Sequence, residues 1–405
     1  RESVERGAAA AGRLQLHHAR CADVVERQVG VGSWHRLGMH LLGAEEFDRA
    51  IDPLQSGMWD LYLSGEYGLG SQVFDALQRA LHAAAAPDAD ERWGEGWLTY
   101  VSLLVARGDY AQADGWTERA LRAARAHGWV QLEARALVHQ AVQRRSRGDL
   151  DGAEASARLA QPIADEHGSL ELQARVLRAL ALVAVSRRDP VAAALSDEAR
   201  ARYELGGHWV EARDAAIERI NIAITDLNPD RAESYLADAR RLAARSRTRA
   251  VDGYLLLVEG EIARLRGEHG RAVEWTIRAE EQLERAGHQL VIAARVARGL
   301  IWVELGEVDP ARPLLESVLA DRRHRRLNAM AAHLGLAVCA IGDVRFDAHW
   351  AAVRALHLPS WIDPQFAAVA AVGAARAQEL GSDERSAALR GFAEAQRAGL
   401  GPRAG

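Results

Sequence analysis

Arginine side chains carry the candidate binding chemistry of this chain. All 51 basic residues among its 405 are arginine, and no lysine occurs. A guanidinium group is planar and offers several N–H donors, so it suits the carboxylate or phosphate groups of a partner. The absence of lysine excludes a nucleotide-binding P-loop, a protein-kinase strand lysine and Schiff-base chemistry, because each needs a lysine amine.

Several arginines and other polar residues occupy equivalent positions in a helical pattern. We predict that they line one inner surface of the fold and bind a peptide or a protein domain. The predicted surface residues are Glu95, Ser102, Arg135, Arg145, Arg175, Arg178, Asn221, Glu261 and Arg264. The alternative is a solvated helix face on which arginine and glutamate pair within the chain.

A repeated pair of helices must position these residues, because the same short break returns along the chain. The breaks fall at Gly108, Gly148, Arg188, Gly267, Gly306, Gly342 and Gly381. Their separations of 36 to 40 residues, with one double step of 79, are typical of stacked helical repeats. We therefore predict an all-α, right-handed superhelical solenoid of about eight antiparallel helix pairs, with a period of about 39–40 residues.

Small residues recur at fixed points of this pattern and indicate where helices approach closely. Gly260, Gly299 and Gly335 stand seven residues before their breaks. Five residues after the break, the position is occupied by Ala113, Ala153, Ala193, Ala272 and Ala311. Four tryptophans are predicted to be core wedges between units, namely Trp116, Trp275, Trp302 and Trp350.

The regularity of the pattern predicts four segments. Residues 1–32 form a helical junction, and residues 33–90 form divergent helices or first repeats. Residues 91–395 form the repeat solenoid, with a degenerate unit around Asn228-Pro229-Asp230. Residues 396–405 form a disordered tail.

Bulk properties narrow the class of partner. The formal net charge is −5 and the isoelectric point is near 6.3, so a nucleic-acid partner is not predicted. No apolar run is long enough to span a membrane, and the start of the sequence does not resemble a signal peptide.

The lack of an initiator methionine predicts that the chain is part of, or is processed from, a longer protein. The two cysteines, Cys21 and Cys339, lie far apart in the sequence, which predicts free thiols in a reducing cytoplasm.

Two clusters could suggest other chemistry, and we interpret both as structural. His17, His18 and His40 have no acidic or cysteine partner at ligand spacing, so no metal site is predicted. The basic run from Arg322 to Arg326 lacks interleaved aromatic residues, which favours a solvated helix end. No nucleophile–base or paired-carboxylate motif occurs in a supporting context, so we predict neither catalysis nor a cofactor.

The repeat positions resemble those of the tetratricopeptide repeat. Trp97, Gly108, Tyr110, Ala113 and Ala120 match the family's large, small, aromatic and alanine positions. The matching positions of later units are Ala141, Gly148, Leu150, Ala153 and Ala160, then Gly260, Gly267, Ala272 and Ala279. The period of 39–40 residues exceeds the family's 34, and the usual proline after the second helix is missing.

The longer repeat resembles the repeat arm of bacterial signal-transduction ATPases with numerous domains (STAND ATPases), which are often linked to serine/threonine kinases. Segments 16–26 and 36–44 resemble the helical junction that follows the ATPase module in that family. The resemblance implies a non-catalytic interaction and sensing arm of a larger signalling ATPase or kinase-linked regulator. The upstream domains of the same polypeptide are then one possible partner. A free-standing scaffold and a transcription-regulator sensor arm are the alternatives.

Overall fold

The computed structural model describes residues 12–27, 33–245, 252–321, 326–358 and 362–400, which contain twenty α-helices and no β-strand. Most of the basic run, at 322–325, the end of the predicted junction, at 28–32, and the tail from 401 lie outside the described residues. No helix in the described ranges has the length and apolar character required to cross a membrane.

The chain divides into two compact units within the seventh helix, after Gln140. The described part of the first unit holds residues 12–140, and that of the second holds residues 141–400 apart from the gaps given above. The helices of the first unit are α1 (Leu14–Glu26), α2 (Trp34–Gly43), α3 (Phe47–Ser64), α4 (Gly70–Ala83), α5 (Glu91–Arg107), α6 (Tyr110–His127) and the first part of α7 (Val130–Ser146), with a short 3-10 turn at Tyr67–Leu69.

The second unit begins in α7 and continues as an alternation of helices. They are α8 (Leu150–His167), α9 (Leu170–Arg187), α10 (Val191–Leu205), α11 (Trp209–Thr225), α12 (Pro229–Arg245), α13 (Asp252–Leu265), α14 (His269–Ala286), α15 (Leu290–Glu304), α16 (Val308–Ala320), α17 (Arg326–Cys339), α18 (Arg345–Leu356), α19 (Pro364–Glu379) and α20 (Asp383–Ala398). From α5 onward the described helices form eight consecutive pairs, each with a first helix (α5, α7 and so on) and a second helix.

Most of the first helices end at a residue in the left-handed backbone conformation, as the sequence breaks at these positions indicated. Gly108 and Gly148 have φ of 88° and 86°, and Asp149 then accepts a hydrogen bond from the Gly152 amide at the start of α8. Glycine adopts this conformation without the steric cost that a Cβ atom adds. Arg188 and Leu227 hold the same conformation without being glycine. The break at Gly342 is different, because Gly342 is not among the residues with positive φ.

Alanine lies where the two helices of a pair meet. Ala113, Ala153, Ala272 and Ala311 are completely buried, as the pattern predicted. The prediction of Ala193 was wrong by one position, because Ala192 is the buried residue and Ala193 is half-buried. The turn there contains Asp189-Pro190, and the buried positions of α10 are displaced by one residue toward it.

Glycines in the first helices also permit close packing. A methyl group on Gly299 would lie 2.6 Å from Leu315 of its own pair, as predicted. One on Gly335 would meet Leu315 and Leu300, which belong to the preceding pair. Trp350 is buried, whereas Trp116, Trp275 and Trp302 are half-buried at the edge of the core. Helix α20 continues to Ala398, so the first three residues of the predicted tail are helical.

Candidate binding face

Arg135 of the first unit lies in an ion pair with another of the predicted surface residues. Its Nη1 atom donates to Glu95 Oε2 at 2.5 Å, and the two residues are 40 positions apart in the sequence. They therefore hold equivalent positions on the first helices α5 and α7. The third residue predicted on this part of the surface, Ser102, donates its hydroxyl to the Leu98 carbonyl of its own helix.

The same spacing recurs twice in the second unit. Arg178 Nε donates to Glu218 Oε1 at 2.8 Å, between α9 and α11. Arg264 Nη1 donates to Glu304 Oε1 at 3.4 Å, between α13 and α15. Each pair again joins residues 40 positions apart. Adjacent first helices are thus connected by guanidinium–carboxylate pairs, which is the alternative that the sequence left open for these arginines.

We define the A-face as one surface of α9 and α11. It carries Arg175, Arg178, Glu211, Asp214 and Glu218. Arg175 Nη2 lies 2.6 Å from Glu171 Oε1 and 3.8 Å from Glu211 Oε1. Arg178 Nη2 lies 4.0 Å from Asp214 Oδ2. With Glu171 counted, four carboxylates lie close to two guanidinium groups here, so the chemistry of the A-face is mixed rather than basic.

Helix α11 supplies three of the five A-face residues, and most of its residues are buried in the fold. Thirteen of its seventeen residues are buried, including Glu211, Arg213, Glu218 and Arg219. Burying a carboxylate removes hydration that only well-placed donors can replace. Glu218 Oε2 is buried and has no hydrogen-bond partner among the described residues. This oxygen therefore keeps an unused hydrogen-bonding capacity in the described structure.

Two more predicted residues, one on α11 itself and one on α7, lie close to Glu218. Asn221 Nδ2 lies 3.5 Å from the hydroxyl of Tyr254 on α13, and burial raises the pKa of that tyrosine. Burial raises the pKa of the Glu218 carboxyl, and the positive charge of Arg145 acts on this carboxyl in the opposite direction. Arg145, Arg178 and Asn221 therefore belong to one neighbourhood around Glu218. The sequence had placed them on one surface without identifying the buried carboxylate between them.

Burial dominates the ionisation of Glu218. Desolvation raises its pKa from 4.5 to about 7, although the charges of Arg178 and Arg145 act in the opposite direction. The folded protein therefore retains this proton at pH values where the unfolded chain has lost it. The protonated Glu218 carboxyl contributes fully to stability at pH values below its pKa in the unfolded chain. This contribution is lost as the pH rises through its pKa in the folded protein.

We expect the substitution Glu218→Gln to reduce the pH dependence of stability. Between pH ~5 and ~8, the decline in free energy of unfolding should be smaller in the variant by about 1–3 kcal/mol. Urea unfolding at several pH values measures this difference. Glu118→Gln is the matched control, because this side chain on α6 is 65% exposed. A variant that keeps the wild-type pH dependence would contradict the assignment.

A second charged cluster surrounds Arg264, which donates to Glu261 Oε2 at 3.0 Å as well as to Glu304. His269 Nε2 lies 3.7 Å from Glu304 Oε2. Burial raises the pKa of Glu304 to about 7. Burial and then the charge of Glu261 raise that of Asp363 to about 6. Both predicted residues, Glu261 and Arg264, therefore lie in a buried cluster in which carboxylates outnumber guanidinium groups.

The histidines singled out in the sequence are partly brought together. His18 Nδ1 and His40 Nδ1 lie 3.0 Å apart, and His17 Nε2 lies 3.7 Å from Cys21 Sγ. Neither contact belongs to a group of three possible metal ligands in the described part of the chain. Such a group does occur elsewhere, at Glu171, His208 and Glu211, and the sequence analysis missed it. The 40-residue spacing of the two glutamates was the available signal.

Comparisons with known proteins bear on the fold. No family model matches the sequence, and no curated protein matches it. Among solved structures, the chain is similar to a Rap protein complexed with competence and sporulation factor, with a TM-score of 0.60 and 11% identity over 87% of this chain and 98% of that one. It is also similar to NprR in complex with its cognate peptide NprX, with a TM-score of 0.54 and 14% identity over 84% and 99% of the two chains.

A third similar structure is a signal transduction ATPase with numerous domains and a tetratricopeptide repeat sensor, from Pyrococcus horikoshii. Its TM-score is 0.49 at 11% identity, and the match covers 84% of this chain and 52% of that chain. At these identities, the two likenesses with TM-scores above one half establish architecture. The chain has the fold of a tetratricopeptide-repeat-like helical solenoid.

Proposed function

We propose that this chain is a non-catalytic regulatory repeat domain that binds a peptide or protein segment on the A-face and the adjoining residues Arg145 and Asn221. The observation that carries the proposal is the buried Glu218 Oε2, which lacks a hydrogen-bond partner in the described chain. A buried oxygen in this state costs about 1–3 kcal/mol. A ligand that supplies a hydrogen-bonding group there would recover part of that free energy.

The neighbouring side chains suit an extended peptide. Asn221 offers both a donor and an acceptor, which matches the paired N–H and C=O groups of a peptide backbone. Arg178 is 29% exposed while it holds Glu218, so its guanidinium can also contact a ligand carboxylate. Two structures of similar fold are complexes, one with competence and sporulation factor and one with a cognate peptide, which supports this ligand class.

We expect peptides selected from a random linear library on the immobilised chain to bind it with micromolar affinity. Asn221→Ala and Arg145→Met should each raise the dissociation constant by about tenfold, or about 1.4 kcal/mol. Arg158→Met is the control, since that side chain on α8 is 66% exposed. Fluorescence anisotropy measures the affinities, and circular dichroism confirms folding. Failure to select any peptide, or equal loss in all three variants, would contradict the proposal.

The domain would act within a larger cytoplasmic regulator, a signalling ATPase or a kinase-linked protein, and binding on the A-face would change the restraint on its other domains. The support for this context is the resemblance of segments 16–26 and 36–44 to an ATPase junction. Reading the gene upstream of Arg1 tests it. An in-frame P-loop is the expected finding, whereas a start codon close to Arg1 would favour a free-standing scaffold.

A further inference from the structure

Three side chains of metal-ligand type converge where α9 and α11 begin. Glu171 lies in the first turn of α9, His208 is the N-cap residue of α11, and Glu211 lies in its first turn. One ligand atom from each lies within 4.8 Å of the other two. Glu171 and Glu211 are 40 positions apart, so they hold the same place in neighbouring pairs.

The orientation of Glu171 is set by Arg175. The Arg175 guanidinium donates to Glu171 Oε1, which lies 2.6 Å from Arg175 Nη2 and 2.8 Å from Arg175 Nε. The other oxygen, Oε2, lies 3.9 Å from His208 Nε2. A ring nitrogen and a carboxylate oxygen thus face the same point from two helices, and a neighbouring ion pair holds the carboxylate in place.

Glu211 supplies an independent indication of a ligand. The residue is 9% exposed, and its Oε1 atom has no hydrogen-bond partner among the described residues. Arg175 Nη2 lies 3.8 Å from this oxygen, beyond hydrogen-bond distance. A buried carboxylate oxygen that no donor satisfies is a natural position for a cation.

The histidine ring is held on its other side by packing. A methyl group on Gly206 would lie 2.7 Å from His208 Cδ2, so the ring packs directly on this glycine. The ring also makes an edge contact with buried Tyr203, with centroids 6.5 Å apart. This packing limits the motion of the imidazole before a metal binds. Less conformational entropy is then lost on binding.

Charge and ligand type favour a divalent transition metal. Two carboxylates and one guanidinium leave a net charge of −1, and a neutral imidazole adds none. One nitrogen and two oxygen ligands suit Zn²⁺, which takes three protein ligands and keeps an open position in many sites. Bonds of about 2.0–2.2 Å require the ligand atoms to approach by roughly 1 Å, which side-chain rotation allows.

We propose that Glu171, His208 and Glu211 bind one Zn²⁺ ion, which joins the first helices of two neighbouring pairs. The site shares Glu211 with the A-face, but zinc binding itself needs no peptide, because all three ligands come from the chain itself. The open coordination position would hold water. Bound zinc would restrain the rotation of α9 against α11 and so stiffen the stack at the A-face.

The test uses the full chain after removal of metals with a chelator and dialysis. We expect calorimetric titration with Zn²⁺ near neutral pH to show one site of micromolar or tighter affinity. The thermal unfolding temperature should rise with zinc concentration, because an ion that binds the folded state stabilises it. His208→Ala and Glu211→Gln should each weaken binding by at least about tenfold. If His208→Ala fails to fold, the nearly isosteric Glu211→Gln still provides the test.

Two controls address zinc binding at the other histidine pairs. His40→Ala disrupts the His18–His40 contact, and His349→Ala disrupts the contact of His333 with His349, whose Nδ1 atoms lie 2.9 Å apart. Both variants should retain the high-affinity site. The absence of saturable binding in wild type would overturn the proposal. Binding that survives in His208→Ala and Glu211→Gln, or that disappears in a control, would also overturn it.

A further variant separates a zinc site from a simple ion-pair cluster. Arg175→Gln removes the competing positive charge and leaves Glu171 and Glu211 uncompensated. We expect zinc to bind this variant more tightly than wild type by about tenfold, because the lost repulsion between Zn²⁺ and the guanidinium outweighs the lost hydrogen bonds that orient Glu171. Zinc should also produce a larger rise in its unfolding temperature. Weaker zinc binding by Arg175→Gln would contradict the charge argument. Peptide binding is not measured in these experiments, so their outcome is independent of the proposed function.

Discussion

Replacing Arg264 with methionine is expected to lower the free energy of unfolding by about 3–5 kcal/mol. The guanidinium is 4% exposed and lies between Glu261 and Glu304. Its charge also opposes the rise in the pKa of Asp363 that burial causes. Methionine fills a similar volume but leaves three carboxyl groups without a cation. Breaking a buried ion pair is costly because the remaining charge stays buried without compensation.

The loss should increase with pH. Burial raises the pKa of Glu304 to about 7, so at acidic pH this carboxyl is protonated and needs no counter-charge. Urea unfolding at pH ~5 and ~8 therefore distinguishes a charge effect from a packing effect. Arg285→Met is the control, because Arg285 and its partner Glu281 are 76% and 60% exposed, and its effect should stay within about 0.5 kcal/mol. A loss below about 1 kcal/mol for Arg264→Met would refute the argument.

The substitution Gly57→Ala is expected to cost about 2–3 kcal/mol in the first unit. A methyl group at Gly57 on α3 would lie 2.5 Å from the backbone nitrogen of His35 and 2.6 Å from its Cα atom on α2. Backbone atoms cannot rotate away as a side chain can, so α2 must move as a whole. Thermal or urea unfolding measures the loss.

Gly115→Ala provides the matched control for that experiment. Gly115 lies within α6, and no atom lies within 4 Å of the position that its Cβ would take. Alanine should therefore stabilise α6 by about 0.5–1 kcal/mol, because it favours the helix relative to glycine. Equal effects of the two substitutions would show that helix propensity, rather than contact between α2 and α3, determines the result.

The sequence allowed the arginines of the candidate site to be predicted, but not the carboxylates with which they pair. Arg175, Arg178 and Asn221 were predicted on one surface, and the structure places Arg175 and Arg178 on the A-face with Asn221 next to it. The partners of the arginines were not identified, because an error of one residue turns a helical side chain by about 100°. A comparison of positions 40 residues apart would have suggested Glu218 and Glu304. No spacing would have suggested Asp363, which comes from the connection before α19.

The alternation of helices, most of their breaks and most of the buried alanine positions follow from the amino-acid sequence, with the exceptions of Gly342 and Ala193. These features depend on local chemistry, because the left-handed glycine at Gly108 or Gly148 and the apolar period of a helix act within a few residues. The pairing of charged side chains, by contrast, depends on the tertiary structure. The register of α9 against α11 brings Glu171 to His208 and Glu211, and the burial of α11 leaves Glu218 Oε2 without a hydrogen-bond partner among the described residues. Such contacts depend on how neighbouring helices pack, which no short stretch of sequence encodes.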